Sequence, residues 1–171
     1  MANLKLLPPI IFFVIFLSIQ SHRASCASLI EQTCKNTPHE ALCLQYLKSD
    51  PGSSQADITG LALIMVDAMK TTTQQAQAKV QQELKKGHGE TEALNACAGT
   101  YKTVLEYDVT VAIEALKKGD PKFAEDGAND TVMEVNSCEA AFPSGKSPIT
   151  QQNNLVRDVA QVAAAIIRNL L

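Results

Sequence analysis

From Ile58 to Leu84 an apolar or small residue returns every three or four positions, at Leu61, Met65, Met69, Thr72, Ala76, Val80 and Leu84. That spacing lines one face of a long α-helix and does not fit the two-residue alternation of a half-buried strand. The same period governs the rest of the chain beyond the first 27 residues, and no convincing strand alternation competes with it. Gly87-His88-Gly89 ends the first long helix. A second runs from about Glu90 to Lys118, with Leu94, Cys97, Tyr101, Leu105, Ala112 and Leu116 on one side. Gly119-Asp120-Pro121 stops it and starts a third, because Asp is a good N-cap and Pro suits the first helical position. The third reaches about Phe142, with Gly127 to Asp130 as the place where it could break. Pro143 to Pro148 is a turn. Leu155, Val159, Val162, Ile166 and Leu170 mark the last helix, and residues 29–47 form a shorter helical stretch interrupted at Pro38.

Long helices joined by short turns pack as antiparallel neighbours. The expected fold is therefore all-α: an up-down four-helix bundle with an N-terminal helical extension. With 5% aromatic residues and no tryptophan, its core must be filled by Ala, Leu, Val and Ile.

Residues 1–27 read as a secretory signal peptide. Lys5 gives a small positive start, Leu6 to Ile19 are largely apolar, and Ser25-Cys26-Ala27 supplies small residues for cleavage. The apolar run is shorter than the ~20 residues a spanning helix needs and contains Pro8-Pro9. Residues 28–171 are then one domain in a chain of 171 residues, with no membrane attachment after cleavage. Cleavage removes Lys5 and Arg23 and no acid, so the mature protein is more acidic than the formal charge of −3. That balance excludes the basic excess that tracks a nucleic-acid backbone.

Cleavage also takes Cys26 and leaves Cys34, Cys43, Cys97 and Cys138, an even number in an oxidising compartment. Cys97 lies about as far before Gly119 as Cys138 lies after it, ~33 Å and ~28 Å along two helices at 1.5 Å per residue. The two belong at nearly the same level of adjacent helices, while Cys34 and Cys43 flank the Pro38 break. The expected disulfides are Cys34–Cys43 and Cys97–Cys138. No Cys-x-x-Cys spacing occurs, and His39 and His88 are the only histidines after residue 27, which argues against a zinc site. No cofactor motif is present.

Catalytic patterns are equally absent: no Gly-x-Ser-x-Gly elbow, no phosphate-binding loop and no His-Glu-x-x-His. Glu125-Asp126 read most simply as acids complementing a helix start, and His39 and His88 as solvated turn residues. Asn129-Asp130-Thr131 is an N-glycosylation sequon in the weak stretch after Gly127. One segment breaks local rules. Pro121-Lys122-Phe123 puts a cation in the first turn of a helix, where the dipole disfavours it, and an aromatic ring beside a turn. Two readings are balanced. The tip is a small interface hot spot, or Phe123 folds back onto the bundle end while Lys122 pairs with Glu125 or Asp126 at helical spacing.

The chain from residue 28 onward resembles the plant invertase and pectin methylesterase inhibitor family. The likeness rests on the cysteine layout, the helical start at Leu29 to Leu47, the stretch Leu61-Ala62-Leu63-Ile64-Met65-Val66-Asp67-Ala68 and the ending Ile167-Arg168-Asn169-Leu170-Leu171. The resemblance implies a four-helix bundle with an N-terminal helical hairpin, no enzymatic activity and no cofactor. Pro121-Lys122-Phe123 is similar to the motif with which the invertase-inhibiting branch enters its target's active site. It thus implies an inhibitor of acid invertase (β-fructofuranosidase), secreted to the cell wall or, alternatively, the vacuole. Inhibition of pectin methylesterase is the nearest rival, and a small-ligand carrier using the bundle interior is a more distant one.

Overall fold

The computed structural model describes residues 29–87, 89–143 and 147–171. The segment expected to be a signal peptide, His88 and residues 144–146 of the expected turn lie outside these residues. Among the described residues the regular structure is helical throughout, and the expected bundle is present. Helices α1 (residues 29–35) and α2 (Glu40–Ser49) form a small hairpin. The four long rods are α3 (Ile58–Lys86), α4 with α5 (Thr91–Thr103 and Val109–Lys118), α6 (Pro121–Ala140) and α7 (Thr150–Arg168).

The punctuation follows from local chemistry. Asp57 Oδ1 accepts the Gly60 N–H at 2.8 Å and caps the start of α3. Gly87, at φ 69°, closes the helix in the left-handed conformation that glycine adopts at little cost. Disulfide Cys34–Cys43 clamps the α1–α2 hairpin with a Cα–Cα distance of 5.4 Å. Cys97–Cys138 joins α4 to α6 at 4.8 Å, the level reached by counting outward from Gly119.

The third long helix does not break at Gly127 to Asp130. It runs unbroken because Gly127 serves packing: a Cβ there would stand 2.6 Å from the Asp108 carbonyl oxygen and 3.4 Å from Ala112 Cβ. The second rod carries the irregularity instead, as a π-turn over Val104–Asp108 in which the Val109 N–H reaches back to the Val104 carbonyl. The turn presses Asp108 against α6, where the residue is only 9% exposed and its Oδ2 has no hydrogen-bond partner.

Burial, with Asp130 and Glu134 nearby, pushes the Asp108 carboxyl up to about 6. A raised acid pKa means the folded state holds the proton more tightly than the unfolded chain. Its stabilising effect is complete below about pH 4 and is lost as pH rises through 6. Asp108→Asn should therefore raise stability at pH 7–8 by about 1–2 kcal/mol and change it little near pH 4. Chemical denaturation at both pH values measures this. Glu83 has the opposite sign: hydrogen bonds from Lys79 and Lys86 hold it down to about 2, so its contribution is present above pH 4.5 and fades on further acidification.

Two contiguous cores fill the bundle. One joins the α1–α2 hairpin to the ends of α3, α5, α6 and α7 through Leu47, Leu61, Met65, Val109, Ala128 and Ile166. The other surrounds Cys97–Cys138 with Val80, Tyr101, Val135, Ile149 and Val156. Tyr101 is fully buried, and its hydroxyl donates to Asn153, whose amide donates to Glu139. Burial first, then the Glu139 charge, hold that hydroxyl well above its ordinary range.

Candidate functional site: the tip of the α5–α6 hairpin

The hairpin is closed by backbone geometry. Gly119, at φ 74°, donates to the Leu116 carbonyl at 3.2 Å, and Asp120 donates to the Ala115 carbonyl at 2.9 Å. These paired bonds form the αL closure that ends many helices. Pro121 then opens α6 with a fixed φ. Asp120 occupies the N-cap position, but its side chain makes no capping bond. The Asp-cap expectation thus holds for position and fails for chemistry.

The fold-back reading of the tip fails for Phe123 and holds for Lys122. Phe123 does not fold back; it is 59% exposed. Lys122 does pair at helical spacing, its Nζ lying 2.7 Å from Asp126 Oδ1 and 3.4 Å from Glu125 Oε2. The hydrogen bond to Asp126 is the main influence raising the Lys122 pKa, with Glu125 adding to it. Asp126 and Glu125 lie beyond the first turn of α6, so they are not the dipole complements expected but partners of Lys122 and Arg168. Glu125 is buried, and its Oε1 accepts from Arg168 on α7 at 2.7 Å. Burial alone would raise the Glu125 pKa, but the Arg168 and Lys122 bonds outweigh it and hold the group below its ordinary value. An ionised carboxylate thus fastens the first turns of α6 to the last turn of α7. The tip is a knob braced against α7, with an exposed ring and a cation paired along α6.

His39 lies in the turn before α2, as expected, but is not merely solvated there. It is half-buried, with Nε2 2.8 Å from Gln161 Oε1 and 3.6 Å from Asp158 of α7, and so ties the N-terminal hairpin to the bundle. Sequence reasoning also passed over Tyr107 and Val111, one turn apart on the second rod and both exposed. Among the described residues no group of three His, Cys, Asp or Glu side chains could hold a metal ion. No helix among them is long and apolar enough to cross a membrane.

Asn129 is exposed on α6, while Thr131 of the same sequon is buried, its hydroxyl donating to the Gly127 carbonyl at 3.1 Å. A glycan transferred to Asn129 would have to be added before α6 closes over Thr131, so folding would compete with it. Partial occupancy is expected in a secretory host. Intact mass before and after glycan removal checks this, and a single unmodified mass contradicts it. At about 100° per residue, Asn129 sits roughly 120° round the helix from Phe123, so a glycan leaves the tip open.

Residues 28–166 match the family described as plant invertase/pectin methylesterase inhibitor. The chain is 42% identical over 139 residues to cell wall / vacuolar inhibitor of fructosidase 1 of Arabidopsis thaliana, covering 81% of this chain and 67% of that protein. It is 26% identical over 141 residues to pectinesterase inhibitor 2 of the same plant, covering 81% and 79%. The fold matches the crystal structure of a mutant form of a pectin methylesterase inhibitor from Arabidopsis with a TM-score of 0.69 at 18% identity, over 79% of this chain and 92% of that one. Match length, identity and shared helical architecture agree: the chain belongs to the plant invertase/pectin methylesterase inhibitor family, a family of enzyme inhibitors.

Proposed function

We propose that this protein inhibits an acid invertase (β-fructofuranosidase) by inserting Pro121, Lys122 and Phe123 into the enzyme's active site. The observation that carries this reading is the exposed Phe123 ring beside Lys122 on a tip fixed by Gly119, Pro121 and the Glu125–Arg168 ion pair. Ordering a tip that is already braced costs little on docking. A retaining glycosidase flanks its sugar bond with two carboxyl groups and stabilises a transition state of positive character. A lysine ammonium suits such a pocket, and an aromatic ring suits the adjoining sugar-binding surface. The 42% identity to a fructosidase inhibitor supports the same target class.

Pectin methylesterase is the second reading, supported by the 26% identity to pectinesterase inhibitor 2. A carrier role draws less support. The bundle interior is filled by the two cores, and the groove of about 380 Å³ between α3 and α7, bordered by Gln75, Lys79, Gln82 and Gln152, lies open on the surface. Secretion with removal of residues 1–27 belongs to the proposal, with the cell wall as destination and the vacuole as the alternative. The deciding experiment titrates purified residues 28–171 into an acid invertase and a pectin methylesterase at about pH 5. Inhibition of the invertase that sucrose relieves competitively is expected. Inhibition of the esterase alone contradicts the reading.

A further inference from the structure

The Lys122 side chain points the wrong way for the role assigned to it. Helical Cα–Cβ bonds lean toward the N-terminus of a helix, which for Lys122 is the tip itself. Its Nζ is instead bonded three and four residues onward, along α6 and away from Gly119. The two carboxylates that draw it there are not equivalent. Glu125 is already compensated by Arg168 at 2.7 Å and holds Lys122 only at 3.4 Å. Asp126 lies at 2.7 Å, and among the described residues it makes no other ion pair. Lys122 and Asp126 are 61% and 47% exposed, so their pairing is weak and exchangeable.

We propose that Asp126 is an internal counter-ion that competes with the target's carboxylates for the Lys122 ammonium, so that docking exchanges one ion pair for another. In the free inhibitor Asp126 holds the ammonium back along α6. In the complex Lys122 swings forward, and the Asp126 carboxylate is left uncompensated one turn behind the acidic pocket. The inhibitor therefore binds more weakly than its tip allows. This inference rests on the invertase reading.

The test measures inhibition constants against an acid invertase for Asp126→Asn and Asp126→Glu, each alone and combined with Lys122→Ala, with a thermal melt of every variant. Asp126→Asn should tighten inhibition about two- to five-fold, the size of an exposed helical ion pair, while lowering the melt by no more than a few degrees, since unfolding breaks the same pair. Asp126→Glu, which restores the pair, should return the wild-type constant. The gain should vanish when Lys122 is alanine, and should shrink as added salt screens the pair. An Asp126→Asn variant that inhibits no better than wild type overturns the proposal. So does a gain of equal size with and without Lys122, which signals general repulsion rather than competition. If Lys122→Ala alone leaves inhibition at full strength, the occlusion reading fails and takes this inference with it. If Lys122→Ala weakens inhibition and Asp126→Asn changes nothing, only the inference fails.

Discussion

Replacing Phe123 with alanine is expected to raise the inhibition constant against an acid invertase about 30-fold, and replacing Lys122 to do the same. Truncating a hot-spot residue costs about 2 kcal/mol or more, and each 1.4 kcal/mol is tenfold in affinity. Neither side chain belongs to either core, so neither change should lower the melting temperature appreciably. Lys122→Glu should be worse than Lys122→Ala, because it sets a like charge against the target's carboxylates and also against Asp126 and Glu125 at helical spacing. Inhibition curves beside circular dichroism melts separate this outcome from simple unfolding. If Phe123→Ala lowers inhibition only in step with a lowered melting temperature, the ring is structural and the target docks elsewhere.

The second large effect is on stability. Cys97–Cys138 closes a segment with a sequence separation of 41, and the chain-entropy treatment assigns such a loop roughly 4 kcal/mol. A Cys97→Ser, Cys138→Ser variant should lose about that much, a large share of the 5–15 kcal/mol typical of a domain. The shorter Cys34–Cys43 loop, with a separation of 9, should cost about 2.6 kcal/mol when opened. Its loss should loosen the α1–α2 hairpin before the bundle, because that bridge joins α1 to α2 alone, while His39 keeps the hairpin against α7 through Gln161 and Asp158. Denaturation of each double-serine variant gives the ranking. Equal losses would contradict the loop-length account.

How much of this was legible beforehand depended on the range of the contact. The helix spans follow from apolar spacing and from Gly87, Gly119 and Pro121, all signals contained within a few residues. The exposure of Phe123 was nearly legible too. The apolar stripe that α6 buries runs through Ala124, Gly127, Ala128, Thr131, Val135 and Cys138, and Phe123 stands at its edge, about 90° round the helix from its centre. The Lys122–Asp126 pair is an i, i+4 neighbour visible in the sequence. By contrast, Glu125 finds Arg168 43 positions away and His39 finds Gln161 122 positions away. Periodicity places such residues on faces without saying which face meets which. Gly127 misled for the same reason. Taken alone, a helical glycine signals weakness, whereas here its missing side chain admits the Asp108 backbone at a distance no Cβ tolerates. The π-turn that delivers Asp108 leaves no compositional mark, since its Val104-Leu105-Glu106-Tyr107-Asp108 would continue an ordinary helix.

These local and distant contacts converge on one knob whose chemistry is concentrated in two exposed side chains. The most direct test is therefore the inhibition curve of a Lys122→Ala, Phe123→Ala double variant against an acid invertase at about pH 5, recorded beside the wild type and with a matching thermal melt. Occlusion by the tip predicts a variant that melts with the wild type and no longer inhibits at concentrations that silence the enzyme with the native inhibitor. A well-folded double variant that inhibits at full strength would contradict it and place the interface on another face of the bundle.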